Sequence, residues 1–591
     1  MGSGPPMRII PFITALLLLM PVASAGGAPV INVEVRGVSG PMLDNVNAYL
    51  SLRRFARAED LDQDQVDRLA LRARREALEA LKPFGHYRAS AEVVVENTTE
   101  GWLATVTVEP GEPVMLRRVE VFIEGAGSTD PSLWLVAEDK APQVDKALSH
   151  PAYAELKGAL QRAAAVRGYA DASFSTAEIL VDVEAGEAEV KLVLDTGPRY
   201  RFGETRFAQD SLDPKLIARY LRYREGDWYD TSLLLQTQFA LDDSDYFRIV
   251  EVLPQERDRD TLTVPIRIDA EDNLLQRYRV GLGYATDTEA RALLGWNHRR
   301  LNRRGHRLSL EARLSSPEQA LDASYVVPWR DPAMEKLALK LSLGKAQRGD
   351  VETDGLTLAP SLTQTSGRWQ RVLFMNFDYT RDSLVGAAGA DAEVSTDRSH
   401  LLVPGISLST IPPGFIGSEP QGRGLYAELI GSAGALGSDA DFLRLLVRDE
   451  RRLDLGGPWH LVLRGELGLS LVEDFGQLPS QYRFFAGGDR SVRGYGYQEL
   501  SPRDVDGNRV GGRHLLIASM EVERDLPRNL GLAVFVDGGN AFDNFGDRLQ
   551  YSAGIGLRYR LPFLVVGVDV AQSLSEPGRA PRFHLNFSPI L

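Results

Sequence analysis

The pattern of hydrophobic and polar positions along this chain of 591 residues changes at residue 273. Before that position, stretches with apolar residues three or four positions apart alternate with stretches in which every second residue is apolar. The first spacing is typical of helices and the second of strands. After residue 273 only the second spacing remains, in segments of about ten residues each. The pattern therefore predicts an N-terminal part with helices and strands, and a C-terminal part made of strands.

The N-terminal part contains a repeat. FGHYRASAEVVVE and VRGYADASFSTAEILVDVE each open a strand with a glycine four positions before an alanine, and the glycines are Gly85 and Gly168. A third, more diverged copy begins near Tyr200 and has Asp245 in place of this glycine. Each copy is predicted to form a strand, two helices and two strands, with the helices on one face of a short sheet. A tandem array of other α+β domains would have the same pattern.

We place the three copies at residues 26–113, 114–198 and 199–272, and the all-strand part at residues 273–591. In the first segment of that part, Tyr278, Val280 and Leu282 lie on one face, opposite arginine and glycine. An apolar face towards lipid and a polar face towards a lumen indicate a transmembrane β-barrel, in which closure satisfies the backbone hydrogen bonds. About sixteen segments fit, an even number as outer-membrane barrels have. A large soluble β-sandwich is the alternative, and it would expose the glycine and arginine face to water.

Residues 1–25 are predicted to be a signal peptide. The stretch RIIPFITALLLLMPVASA contains one arginine, an apolar run and the small-residue pattern Ala23-Ser24-Ala25. The mature chain is then expected to begin near Gly26. An uncleaved membrane anchor is the alternative, but the apolar run is shorter than the ~20 residues that a span requires.

Composition excludes several other classes of protein. The chain is 43% hydrophobic and 25% charged, which rules out a disordered chain and a helical membrane bundle. It has no cysteine, so disulfides and thiolate metal sites are excluded. The formal net charge of −14 argues against nucleic acid as a main partner. DVDGN at residues 504–508 resembles the start of a calcium loop, but Arg509 replaces the required glycine, and we interpret it as a polar turn.

A long loop, residues 475–513 and here called loop 6, places Arg493 between hydrophobic residues and a Gly-Tyr-Gly-Tyr run. Alternation in the two following strands turns Glu521 and Asp537 towards the lumen. In a partly dehydrated lumen, paired hydrogen bonds from a guanidinium to a carboxylate can hold a loop in one orientation. We therefore predict that Arg493 pins loop 6 to Glu521 or Asp537. An exposed loop with a solvated arginine is the alternative.

These residues resemble the outer-membrane assembly and translocation superfamily, whose members carry POTRA domains before a sixteen-stranded barrel. GGDRSVRGYGYQ is similar to the V-R-G-Y motif of the sixth extracellular loop, and FVDGG to the F-x-D-x-G motif of the barrel wall. Three repeats are most similar to the TamA branch, since BamA usually has five and two-partner secretion transporters have two. The matching positions are Val492, Arg493, Gly494, Tyr495, Glu521, Phe535, Asp537 and Gly539.

The resemblance implies a location in the outer membrane of a Gram-negative bacterium, with the repeats in the periplasm. The implied function is to assist the insertion or secretion of autotransporters and other barrel proteins, with a TamB-like protein anchored in the inner membrane as partner. Neither an enzymatic activity nor a cofactor or metal is expected. A passive pore, a BamA-like general assembly factor and a barrel-anchored enzyme without a visible active site are the alternatives.

A barrel that assists insertion would use a lateral seam between its first and last strands, whose unpaired edges could accept an incoming strand. We expect this seam to join QRYRVGLGY to RFHLNF, with Val280 opposite Leu585. The predicted seam residues are Val280, Leu282, Phe583, Leu585 and Phe587.

Overall fold

The computed structural model describes residues 31–56, 62–98, 101–384, 397–410, 424–561 and 564–589. The predicted signal peptide lies outside the described residues. No helix among these residues combines the length and the apolar character needed to cross a membrane. The chain divides into two compact units, Met1–Tyr200 and Arg201–Leu591.

The first repeat has its helices on one side of a three-stranded sheet. Helix α3 (Gln63–Leu81) begins with a capping box, because the Asp62 carboxylate accepts from the Gln65 N–H at 2.7 Å and the Gln65 side chain accepts from the Asp62 N–H at 3.2 Å. Apolar residues of α3 at helical spacing, among them Val66 and Ala73, are buried in the core beneath the sheet. The sheet order is β1-β3-β2. The elements are β1 (Ile31–Arg36), α1 (Gly40–Tyr49), α2 (Ser51–Arg54), α3 (Gln63–Leu81), β2 (Ser90–Thr98) and β3 (Gly101–Glu109).

The second repeat has the same arrangement and sheet order, β4-β6-β5. Strand β4 runs parallel to β6, whereas β5 runs antiparallel to it. Leu156, Leu160 and Ala164 of α5 lie one helical turn apart and are buried in the core of this repeat. The elements are β4 (Met115–Glu124), α4 (Pro131–Lys140), α5 (His150–Val166), β5 (Ser173–Asp182) and β6 (Glu187–Asp195).

The third repeat explains why an aspartate can replace the glycine of the other copies. Gly85 and Gly168 have φ of 87° and 88°, and Asp245 has a φ of 61°, so all three adopt the left-handed conformation. Aspartate tolerates this conformation better than most residues, and its carboxylate accepts from Arg299 Nε at 2.8 Å. The sheet order is β7-β9-β8. The elements are β7 (Arg201–Ala208), α6 (Pro214–Ile217), α7 (Thr231–Asp242), β8 (Phe247–Pro254) and β9 (Thr263–Asp272).

The described residues after the third repeat form a barrel of sixteen antiparallel strands, β10 to β25. The predicted fold class, three α+β repeats followed by a sixteen-stranded barrel, is confirmed. We propose domain ends at residues 113, 198 and 272. The strands are β10 (Gln276–Ala285), β11 (Glu289–His298), β12 (Arg307–Leu314), β13 (Glu318–Pro328), β14 (Glu335–Arg348), β15 (Val351–Ser366), β16 (Trp369–Leu384), β17 (Asp397–Thr410), β18 (Gly424–Ser432), β19 (Phe442–Gly456), β20 (Trp459–Val472), β21 (His514–Leu526), β22 (Leu530–Phe542), β23 (Gln550–Leu561), β24 (Leu564–Ser573) and β25 (Arg582–Pro589).

Candidate functional site

Loop 6, which joins β20 to β21, runs through the interior of the barrel. Its residues Phe484, Ala486 and Val492 are buried together with Leu515 and Ile517, which are inward-facing residues of β21. Other residues of loop 6 bond to β15 and β16, which lie several strands away from β21 around the barrel. The loop therefore bridges two parts of the wall across the lumen.

Arg493 lies in the middle of this loop and is 1% exposed. Its Nε and Nη2 donate to the two carboxylate oxygens of Asp537 at 2.7 and 2.9 Å, and its backbone N–H donates to Asp537 Oδ2 at 3.1 Å. Its Nη1 donates to Glu521 Oε2 at 2.6 Å. The structure thus brings Arg493 together with both carboxylates. A planar guanidinium matches this arrangement because its donors point in fixed directions.

Further charged groups complete the surroundings of Arg493. Arg558 Nη2 donates to Glu521 Oε1 at 2.8 Å and also pairs with Asp569, whose carboxylate lies 3.4 Å from Arg493 Nη1. Arg464 Nη2 donates to Glu521 Oε2 at 3.3 Å. Three arginines therefore face three carboxylates, and the buried group is balanced in formal charge. Such balance is needed because an unpaired charge away from water is strongly unfavourable.

The wall residues of the F-x-D-x-G motif fit closely around the guanidinium. The Arg493 Cζ atom lies 3.2 Å from the centre of the Phe535 ring, a cation–π contact. At Gly539, an added Cβ would lie 2.4 Å from the Leu516 carbonyl oxygen. The position therefore requires glycine because the neighbouring backbone of β21 approaches so closely.

The other residues of the V-R-G-Y motif attach loop 6 to the last strands. Tyr495 is buried, and its hydroxyl bonds to Ser573 Oγ at 2.6 Å and donates to Gln550 Oε1 at 3.1 Å. Gly494 has a φ of 93°, which favours glycine, and its N–H donates to His584 Nε2 at 3.0 Å. The motif thus contacts β21 to β25 as one continuous part of the wall.

Loop 6 is also attached to the other side of the lumen. Ser480 Oγ bonds to Thr353 Oγ1 at 2.5 Å, and the Ser480 N–H donates to Asp382 Oδ2 at 2.8 Å. Tyr482 donates to Asp378, and Arg509 forms a two-bond ion pair with Asp350. The DVDGN stretch forms a polar turn, in which the Asp504 carboxylate accepts from the backbone N–H groups of Asp506 at 3.0 Å and Asn508 at 2.8 Å.

The predicted seam differs from the observed one in its register. Among the described residues, β25 pairs with β10 through a single pair, Ala285 and Asn586. The Thr286 N–H donates to the Leu585 carbonyl at 3.0 Å, so Leu585 lies next to Thr286. The expected apposition of Val280 and Leu585 is therefore wrong. Alternation along a strand shows which face a residue occupies but not which residue it pairs with.

The remaining seam residues lie along the two strand edges. Leu282 is 82% exposed and Phe583 is 67% exposed. The Phe587 carbonyl accepts from Arg291 Nη2 at 3.3 Å. Ten residue pairs join β10 to β11, so β10 is fully paired on that side only.

A cluster that we call the seam latch joins loop 6 to both edges of the seam. It consists of Thr286 and Asp287 after β10, Asp489 in loop 6 and His584 in β25. Thr286 Oγ1 donates to Asp489 Oδ1 at 3.1 Å, the Asp489 N–H donates to Asp287, and His584 Nδ1 bonds to Asp489. The latch therefore closes the barrel at the point where the two strands meet.

The seam latch has three groups of the kind that ligate metals, with their ligand atoms within 4.8 Å of one another. Both nitrogens of His584 are engaged, one by the Gly494 N–H and the other by Asp489. This arrangement fits a hydrogen-bonded latch better than a metal centre. Burial raises the pKa of Asp287 to about 6, and the charge of Asp489 adds to the effect. The backbone N–H of Asp489 acts in the opposite direction, because its hydrogen bond favours the ionised carboxylate of Asp287.

Sequence reasoning missed Asp569, His584 and the latch residue Asp489. A usable signal existed for the first two, because each lies between outward-facing apolar neighbours on its strand, in VVGVDVAQS and RFHLNF. Asp489 lies in a loop, where alternation carries no information.

We predict that Arg493→Ala releases loop 6 without collapsing the barrel. The chain has no native cysteine, so spin labels can be placed on cysteines at Val505 in loop 6 and Phe545 in the turn after β22. The wild-type distance distribution between the labels should be narrow, and Arg493→Ala should broaden it. Arg493→Lys should have a smaller effect, because lysine keeps the charge but loses the paired bonds to Asp537.

The matched control is Arg490→Ala, since Arg490 lies in the same loop but its side chain is 71% exposed. A distribution that stays as narrow in Arg493→Ala as in Arg490→Ala would contradict the anchoring role of Arg493.

A second prediction concerns Gly554 on β23, which is paired with Phe535 on β22. A Cβ at this position would lie 2.3 Å from Phe535 Cζ and from the Val570 carbonyl oxygen. Gly554→Ala should lower the free energy of unfolding by about 1–3 kcal/mol, because the ring that contacts Arg493 has to move. The measurement is the urea midpoint of unfolding in lipid vesicles.

Gly355→Ala is the control for Gly554→Ala, because its nearest new neighbour would be Thr380 Cγ2 at 3.8 Å. It should leave the midpoint nearly unchanged. Equal midpoints for the two variants would contradict the prediction, because they would show that the space around Phe535 accepts an added methyl group without loss of stability.

Comparisons with known proteins agree with this architecture. The Omp85 superfamily domain matches residues 421–588, and POTRA domain TamA domain 1 matches residues 32–110. The chain is 24% identical over 362 residues to the outer membrane protein assembly factor BamA of Nitratidesulfovibrio vulgaris (strain Hildenborough). This match covers 59% of this chain but only 45% of the length of that relative.

Two of the solved structures that match this chain are a BamA and a CdiB protein. BamA from Haemophilus ducreyi lacking POTRA domains 1-3 gives a TM-score of 0.64 at 16% identity, covering 80% of this chain and 99% of that chain. CdiB from Escherichia coli gives a TM-score of 0.45 at 13% identity, covering 89% of this chain and 97% of that chain.

The barrel lies in the outer membrane and the repeats lie in the periplasm. The chain is thus an outer-membrane protein that carries an Omp85 superfamily domain in its barrel and a TamA-type POTRA domain as its first repeat.

Proposed function

We propose that this chain is a translocation and assembly subunit, which assists the insertion or secretion of autotransporters and other β-barrel proteins through its lateral seam. The observation that carries the proposal is the short pairing between β10 and β25. One residue pair closes the barrel among the described residues, whereas ten pairs join β10 to its other neighbour. A seam held by so few bonds separates more readily than any neighbouring strand pair.

The edge of β10 is suited to accept an incoming strand. Backbone groups without partners are costly in the hydrocarbon region, since lipid offers no hydrogen bonds. A substrate strand that pairs with this edge satisfies those groups and adds to the sheet. The side chains on the lipid-facing side of this edge are hydrophobic and well exposed, as Tyr278 and Val280 are 70% and 73% exposed. An unfolded outer-membrane protein, with alternating apolar residues, has complementary strands.

The periplasmic repeats offer surfaces for partners. In each repeat the strand after the helices, β2, β5 or β8, lies at the edge of its sheet. Edge strands bind extended chains by the same backbone pairing. We propose a TamB-like protein anchored in the inner membrane as the main partner, supported by the TamA-type match of residues 32–110. Unfolded outer-membrane proteins and the lipid bilayer are the other proposed partners.

A BamA-like general role in barrel assembly is the second candidate, and the similarity to an assembly factor of that name supports it. A passive secretion channel is less well supported, because loop 6 and its buried arginine occupy the interior. We propose no enzymatic activity for the chain.

We predict that a disulfide across the seam blocks substrate assembly. Cysteines should replace Ala285 and Asn586, which are direct partners in the observed register. Because the next residue, Thr286, donates its N–H to Leu585, the pair at Ala285 and Asn586 lacks mutual hydrogen bonds. The Cα atoms of such a pair lie closer together than those of a hydrogen-bonded pair, which suits a disulfide. Assembly of an autotransporter in cells that depend on this protein should fall sharply and return with reductant.

The control is a disulfide between Ala312 and Leu321, which pair on β12 and β13 away from the seam. This crosslink should leave assembly intact. If the seam crosslink formed fully and assembly continued unchanged, lateral opening would be excluded, and a channel with a fixed seam would be the better account.

A further inference from the structure

A cavity of about 480 Å³ lies between the third repeat and the adjoining turns of the barrel. Its walls come from helix α6, from the turn between β11 and β12, and from the turn between β13 and β14. The chain enters β10 from the third repeat at this end of the barrel, so the cavity lies at the periplasmic surface of the membrane.

Positive charge is concentrated in this cavity without matching negative charge. Lys215, Arg304 and Arg330 line it, and within the part of the chain that the structure describes their side chains have no carboxylate partner. The only acidic residue among the lining residues is Asp213, whose carboxylate accepts from the backbone N–H of Lys215 at 2.9 Å. Among the described residues, three cations without a carboxylate partner, and Arg219 as a fourth cation, therefore line the cavity with one acid.

Other arginines of the turn between β11 and β12 are paired with carboxylates, in contrast to the arginines that line the cavity. Arg299 donates to Asp245 at 2.8 Å, and Arg300 donates to both oxygens of Asp272 at 2.9 and 3.1 Å. Arg219, which also lines the cavity, donates to backbone carbonyls of the turn after β13, among them that of Arg330 at 3.1 Å. Arg219 thus shapes the wall, while Lys215, Arg304 and Arg330 remain available for an anion.

An apolar stripe on the outside of the barrel leads into the cavity. Leu321, Tyr325 and Trp329 lie four positions apart on the outer face of β13 and its turn, and they are 48%, 37% and 41% exposed. Trp329 itself lines the cavity, and tyrosine and tryptophan are typical of the membrane–water interface. A lipid whose acyl chains follow this stripe would have its headgroup in the cavity.

We propose that this cavity binds the phosphate-bearing headgroup of an anionic phospholipid from the periplasmic leaflet. Guanidinium groups bind phosphate oxygens through paired, charge-assisted hydrogen bonds, and the ammonium of Lys215 adds a third positive charge. Free phosphate has the same phosphate oxygens as the headgroup, but it has no acyl chain that could contact the apolar stripe. No described residue of the seam lines the cavity. Lipid binding at this site can therefore be tested separately from the proposed assembly function.

The test uses the purified full-length protein in lipid nanodiscs and measures retained phosphatidylglycerol by native mass spectrometry, with phosphatidylcholine as the neutral comparison. Wild type should retain phosphatidylglycerol preferentially. Arg304→Gln/Arg330→Gln should lower that retention roughly thirtyfold, given the usual contribution of two surface cations near anionic lipid. Lys215→Gln, in the repeat and not in the barrel, should lower it by a smaller factor.

The matched control is Arg303→Gln/Arg368→Gln, which removes two exposed arginines from barrel turns outside the cavity lining. Retention that falls equally in this control would overturn the proposal, because it would indicate attraction by general charge. Release of phosphatidylglycerol by inorganic phosphate at an equal concentration would also overturn it, and would identify a free-phosphate site.

Discussion

The guanidinium of Arg493 is removed from water inside the barrel, and the route of loop 6 depends on the carboxylates that surround it. Burying this charge would be very costly without Asp537 and Glu521, and removing one partner of such a buried pair typically costs about 3–5 kcal/mol. The wall in turn depends on the loop, because the two carboxylates would otherwise face the lumen without their main cation. Close contacts at Phe535 and Gly539 leave little freedom for the arrangement. The ion pair therefore selects one position for the loop more than it adds to overall stability.

This anchoring has a consequence for the seam. The V-R-G-Y motif contacts β21 to β25 and so fixes the last strands of the barrel as one body. On the other side of the seam, the seam latch joins loop 6 to Thr286 and Asp287, the two residues that follow β10. The firmly held part of the wall thus ends where the weakly paired edge begins. Opening of the seam requires loss of one strand pair, of the bonds that join Leu585 to Thr286 and Phe587 to Arg291, and of the latch. None of these bonds involves Arg493.

Much of the site follows from alternation along the strands. Glu521 and Asp537 lie between outward-facing apolar residues, so their inward direction could be predicted from the sequence, and the arginine in a glycine-rich loop suggested their partner. Contacts between distant strands could not be predicted, because they depend on the stagger of all the strands around the barrel, which the sequence of a single strand does not determine. For that reason the bonds of loop 6 to Thr353 and Asp378 and the register at Ala285 required the structure. Asp245 shows a further limit, since its role depends on Arg299 in the adjoining barrel turn.

Amide hydrogen exchange of Arg493 and Gly494 in the wild-type protein, reconstituted in lipid, tests the central role of the anchor most directly. The N–H of Arg493 donates to Asp537 and that of Gly494 to His584, so each reports on contact between loop and wall. The account predicts that both amides exchange as slowly as the paired amides of β21. Exchange of both as fast as in the exposed part of loop 6 around Val505 would contradict it.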